Sequence, residues 1–162
     1  MANERKDYKK EFNLSAKKIY REWLLDAIEN DDFDAFKECV LNLGTEWHVI
    51  RTVKKNSQIK FTKHLWNNIS DIQSGKYKGW EKSNFQAYSF ESKVCFLINP
   101  QCYKIIYDKN NIEAIKRITQ NRINQKNWQI TVDKYYEKYQ KDAKELDDFF
   151  RIDYELWNSS NA

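Results

Sequence analysis

Three glycines and one proline serve the whole 162-residue chain. Sandwiches and barrels need turn residues at short intervals, so this scarcity argues against them and for helices joined by short connections. Histidine is nearly as scarce: His48 and His64 are the only two. No HxxH, HExxH or CxxC spacing occurs, so no metal centre is expected, and no cofactor. Gly75 and Gly79 stand isolated with no strand before them, which excludes a glycine-rich phosphate loop. No nucleophile elbow supports a serine- or cysteine-based triad. The cysteines, Cys39, Cys95 and Cys102, are odd in number and unclustered, and are expected as reduced core thiols. No run approaches the roughly 20 apolar residues of a membrane span. MANERKDYKKEF at the start has no apolar signal core, so the expected setting is intracellular and cytoplasmic.

Aromatic residues are plentiful, with 6 Trp, 10 Tyr and 9 Phe. A disordered chain lacks them, so a packed core is expected despite the polar average. Charge is unevenly spread. Residues 51–126 carry 15 Lys and Arg against 5 Asp and Glu, whereas both flanking segments are net acidic. A basic middle permits a face for a polyanion if folding gathers its lysines, and is equally compatible with a solvated surface.

Periodicity predicts an all-α fold of about six helices in a single domain, with 1–12 and 158–162 as tails. In 14–30, Ala16, Ile19, Tyr20, Trp23, Leu24, Ala27 and Ile28 form one stripe, with Asn13 or Ser15 as cap. From Phe33 to Ile50 the apolar residues again step by three or four, with Asp31 or Asp32 as cap and Gly44 as a kink or break. A third helix is predicted near 58–73. SGKYKGWEKSN, 74–84, reads as a loop. A fourth helix, 85–98, ends before Pro100. Asn110 with Glu113 predicts a capping box for the next. Residues 129–157 read as one long amphipathic helix, whose apolar stripe only Asp153 interrupts. That spacing also fits a dimer seam, so monomer and homodimer are both open.

Two regions could carry chemistry. Lys54, Lys55, Lys60 and Lys63, with Lys76, Tyr77, Lys78, Trp80 and Lys82 of the loop, combine cations for phosphates with rings that could stack on bases. The plainer alternative is a surface loop with its tryptophan folded inward. The other region is SFESKVCFLINPQCYKIIYD, 89–108. Lys93 begins an apolar run, where desolvation would favour a free amine able to act as a nucleophile. Asp108 stands where the next helix begins, as cap or as acid–base group. The competing view has Lys93 reaching to solvent and Asp108 merely capping.

The order SFESK, FLINP, YKIIYD resembles helix-hairpin-helix DNA glycosylases, in particular the compact archaeal 8-oxoguanine branch and its bacterial and phage relatives. The resemblance covers about 20 residues. It implies an all-α fold that flips a base from DNA, a lysine at Lys93 that attacks the sugar, and an assisting carboxylate at Asp108. Where the family carries hairpin glycines before the lysine, this chain has AYSFES. Three functions follow as expectations. One is glycosylase or lyase chemistry through Lys93 and Asp108, and another is nucleic-acid binding without catalysis. The third is a protein-interaction module of phage or defence type, for which the many Trp and Tyr are suitable anchors.

Overall fold

A computed structural model describes residues 2–47, 53–78 and 87–159, with side chains from Tyr8 onward. The described residues form eight α-helices, a short 3-10 helix at Lys55–Ser57, and no strand. The helices are α1 (Ala2–Glu29), α2 (Phe33–Glu46), α3 (Gln58–Asn67), α4 (Ile69–Ser74), α5 (Tyr88–Ile98), α6 (Lys109–Thr119), α7 (Trp128–Tyr139) and α8 (Leu146–Ser159). No described helix is long and apolar enough to cross a membrane. The all-α expectation stands, and the element count and lengths differ from it.

The long helix is the first one, not the last. It begins at Ala2, so residues 2–12 are helix rather than tail, and Asn13 and Ser15 lie inside it instead of capping it. Tyr20, Leu24 and Ala27 of the predicted stripe are buried, whereas Ile19 is 62% exposed. α2 starts where expected: Asp32 Oδ1 accepts the N–H of Ala35 at 3.0 Å. Gly44 stays within α2, buried, without breaking it.

The predicted 58–73 helix is interrupted at Asn68, whose side-chain amide donates to the His64 carbonyl at 2.7 Å and competes with the backbone ladder. α4 then ends on Gly75 at φ 77°, a left-handed cap that glycine takes without strain. A Cβ there would come within 2.7 Å of Cys102 Sγ, so a larger residue would also have to displace that side chain.

The predicted 129–157 helix is two helices. Asp148 Oδ2 accepts the N–H groups of Lys144 and Glu145, at 3.1 and 3.0 Å, and starts α8 afresh. These bonds hold the Asp148 carboxyl below its usual range. Lys141, Lys144 and Glu145 therefore lie in the turn between α7 and α8. α6 starts earlier than its Asn110–Glu113 box would place it, because Asp108 is the cap.

α5 is the central helix. From Phe90 to Ile98 every residue is buried except Lys93. α1 packs on α2, α5 and α8, and α6 packs on α8. The last carbonyls of α5 are satisfied from α1: Arg21 donates to the carbonyls of Leu97 and Ile98 at 2.6 and 2.7 Å. The Asn99–Pro100 turn is anchored too, since Asn99 Nδ2 donates to the Ile72 and Gln73 carbonyls at the end of α4. Cys39, Cys95 and Cys102 are all free, and burial pushes the Cys39 thiol up to about 12. Such thiols are poor nucleophiles at neutral pH.

Candidate active site

Residues 103–108 are not helical, so their backbone groups need partners from elsewhere. Ser92 Oγ accepts the N–H of Tyr107 at 2.6 Å. Asp153 Oδ1 accepts the N–H of Ile106 at 2.8 Å. The Asn111 amide donates to the Ile106 carbonyl at 2.9 Å and to Asp153 Oδ1 at 3.0 Å. Each of the two residues in the Ser92–Tyr107 bond is followed by a chemically active neighbour, Lys93 and Asp108. One hydrogen bond thus joins the backbone of the 103–108 segment to α5, each partner one residue before Asp108 or Lys93.

Lys93 and Asp108 line the same cavity, of about 240 Å³, between α1, α5 and α8. Asp108 also does what the plainer expectation assigned to it: its Oδ1 accepts the Asn111 N–H at 2.9 Å and caps α6. Lys93 Nζ stands over the Trp47 ring, 5.3 Å from its centroid. Among the described residues no carboxylate oxygen lies within ion-pair distance of it.

The rest of the wall comes from α1 and α8. Lys17 is 2% exposed and Asp153 3%, and they form an ion pair at 3.0 Å inside the protein. Lys17 also donates to the Phe150 carbonyl at 3.4 Å and stands near the rings of Phe96 and Phe150. Asn13, Tyr154 and Trp157, together with Ile106 of the 103–108 segment, complete the lining. Asn13 Oδ1 is buried without a hydrogen-bond partner among the described residues. A buried acceptor in that state is costly unless something donates to it.

Burial dominates the electrostatics. It lowers the Lys93 ammonium, with Lys17 adding to the effect and Asp108 and Asp153 opposing it. It raises the Asp108 carboxyl to about 6, helped by the neighbouring Asp153 charge and opposed by the Asn111 N–H, Lys93 and Lys17. Compared with exposed side chains, the cavity therefore pairs an amine that loses its proton more readily with a carboxyl that keeps its proton to a higher pH. Those are the properties of a nucleophile and an acid in one site.

No protein-family model, curated protein or solved structure matches this chain.

The basic residues separate from this cavity. Lys54, Lys55, Lys60, Lys63, Lys76 and Lys78 are exposed, and none of them lines it. Trp80 and Lys82 lie outside the described residues. Tyr77 is corrected from a stacking ring to a core residue. It is 5% exposed, its hydroxyl donates to Glu91 Oε1 at 3.2 Å, and its carbonyl accepts from Tyr103. A ring held in that way offers no face to a base.

Lys17 and Asp153 were not foreseen as site residues, though both left a signal. Asp153 is the residue that breaks the apolar stripe of the last helix. Lys17 stands in step with Tyr20, Leu24 and Ala27, on the buried side of α1. Among the described residues no cluster of side chains suits a metal ion.

Proposed function

We propose that this chain associates with nucleic acid and acts as a glycosylase/lyase-type protein, with Lys93 as nucleophile and Asp108 as its acid–base partner. The observation that carries this reading is that the two residues wall one cavity. The resemblance over residues 89–108 points the same way, and the exposed lysines of α3 and of the residues flanking α3 and α4 supply cations for phosphates.

The chemistry is an imine formation. The neutral amine of Lys93 adds to the aldehyde carbon of a ring-opened abasic sugar, forming a C–N bond. The carboxyl of Asp108 gives its proton to the departing hydroxyl. Water leaves, and a protonated imine and the Asp108 carboxylate remain. The Trp47 ring beside Lys93 favours the cationic imine once it forms. Asn13 Oδ1 offers the substrate a buried acceptor.

The test is reductive trapping with abasic-site DNA. Borohydride is expected to fix a covalent protein–DNA adduct with the native chain. Lys93→Ala is expected to lose it by at least about 100-fold, as for removal of a covalent nucleophile. An undiminished adduct in Lys93→Ala contradicts the assignment. A chain that neither forms an adduct nor holds DNA would fit the other reading, a protein-interaction module. That reading draws on Tyr8, Phe12 and Trp157, which are 71%, 63% and 39% exposed around one groove of α1 and α8.

A further inference from the structure

We propose that Lys17 and Asp153 are positioning residues for the cavity: a buried cation and a buried anion that balance each other in the wall shared with Lys93 and Asp108. The inference rests on the reading of that cavity as an amine–carboxyl site.

The geometry carries it. Lys17 comes from α1 and Asp153 from α8, their charged atoms 3.0 Å apart, and both side chains line the cavity. Asp153 holds the segment that presents Asp108 through the Ile106 N–H, and through Asn111 it touches the residue whose N–H Asp108 accepts. The pair thus fixes where Asp108 stands and also contributes to its charge environment. A lysine alone in that wall would favour the Asp108 carboxylate and oppose the Lys93 ammonium. An aspartate alone would favour the ammonium and oppose the carboxylate. The directions given above for Lys93 and Asp108 follow this pattern, with Asp153 raising both groups and Lys17 lowering both.

Other groups face the two residues as well. Tyr154 of α8 shares the cavity. On its outer side Asp108 borders a shallower groove with Lys109 and Glu113 of α6 and with Tyr88 and Tyr107. Lys109 and Glu113 oppose each other in sign, so they leave Lys17 and Asp153 as the buried charges of the wall.

The experiment is a titration by carbon-13 NMR of the full chain, following the Lys93 Cε and Asp108 Cγ signals. The signals are assigned by their absence in Lys93→Ala and Asp108→Asn. Asp153→Asn keeps an acceptor oxygen for Ile106 and removes the negative charge. Both midpoints are then expected to fall, each by about one pH unit. Lys17→Met keeps the length and removes the positive charge, and both midpoints are expected to rise by a similar amount. The double variant is expected to lie close to the native values, and it stays informative if one single variant does not fold. A merely structural pair would not lower both midpoints on loss of the negative charge and raise both on loss of the positive one. Midpoints unchanged in the folded variants, or moved the same way in both single variants, would overturn the proposal. The titration needs no substrate, so it fails or succeeds independently of the trapping experiment. Opposite shifts without an adduct remove the lyase reading and keep the pair, whereas an adduct without shifts does the reverse.

Discussion

Asp153→Ala is expected to lower the unfolding free energy by about 3–5 kcal/mol, the usual loss when one partner of a buried ion pair is deleted. The cause is specific. Lys17, 2% exposed, would keep a positive charge in the interior with no counter-charge. The Ile106 N–H and one N–H of Asn111 would lose the oxygen they share. A small domain is stable by only about 5–15 kcal/mol, so this loss removes a large part of the margin. Lys17→Met/Asp153→Ala should recover part of it, since removing both charges also removes their desolvation cost. Urea unfolding followed by helical circular dichroism measures both variants. A loss below about 1 kcal/mol for Asp153→Ala would mean that the pair does not stand buried as described. The exposed pairs Lys10–Glu155 and Lys18–Asp147 bridge the same two helices and contribute much less, because solvent screens them.

Asp108→Asn is expected to act in the opposite sense on stability while abolishing adduct formation. The Asp108 carboxyl is raised from 3.8 to about 6 in the folded chain, mainly by burial. The folded state therefore holds this proton more tightly than the unfolded state does. The stabilisation is complete below about pH 4 and is lost as pH rises through about 6. At pH 7.5 the native chain bears the full cost of an ionised, half-buried carboxylate, on the order of 3 kcal/mol by the shift of its pKa. Asparagine removes that charge and keeps an oxygen to cap α6, a role in which the two residues rank alike. The variant should gain on the order of 3 kcal/mol at pH 7.5 and nothing at pH 4. Unfolding measured across that range tests it, and a gain independent of pH, or a loss at pH 7.5, contradicts the account. A residue that destabilises the fold yet stands in the site is what a site placed for chemistry predicts.

The helices with strong apolar spacing were legible in the sequence, because burying one face is what forms them. α2 follows its stripe closely, α5 ends before Pro100 as expected although it is buried nearly all round, and α6 is found with Asp108 in place of Asn110 as its cap. The misjudged boundaries have a common cause. Asn68 and Asp148 end or restart helices through side-chain bonds to the backbone, and hydrophobic periodicity does not register such bonds. The stripe continued across residues 140–145 because Ala143 of the turn and Leu146, the first residue of α8, both pack against the core. Residues 2–12 carry too many charges to signal a buried face, yet they extend α1, and Lys10 pairs with α8.

The site was half legible. Lys93 and Asp108 drew notice as charges at the edges of apolar runs. That they share a cavity depends on Ser92 meeting Tyr107, a contact between distant residues of a kind no local pattern encodes. Trp47 and Trp157 join them only through the packing of α1 on α2 and α8. Tyr77 shows the reverse case. Alternation of lysines and rings suggested a binding loop, but its hydroxyl has partners in the buried Glu91 and in His64, and those decide its place.

The central claim is that Lys93, and no other amine, carries the covalent step. The most direct measurement is peptide mapping of the borohydride-reduced adduct by mass spectrometry after proteolysis and nuclease digestion. The account predicts the sugar remnant on the peptide containing Lys93, with Lys17 of the same cavity unmodified. A remnant on Lys17 or on the N-terminal amine, with Lys93 unmodified, would contradict it.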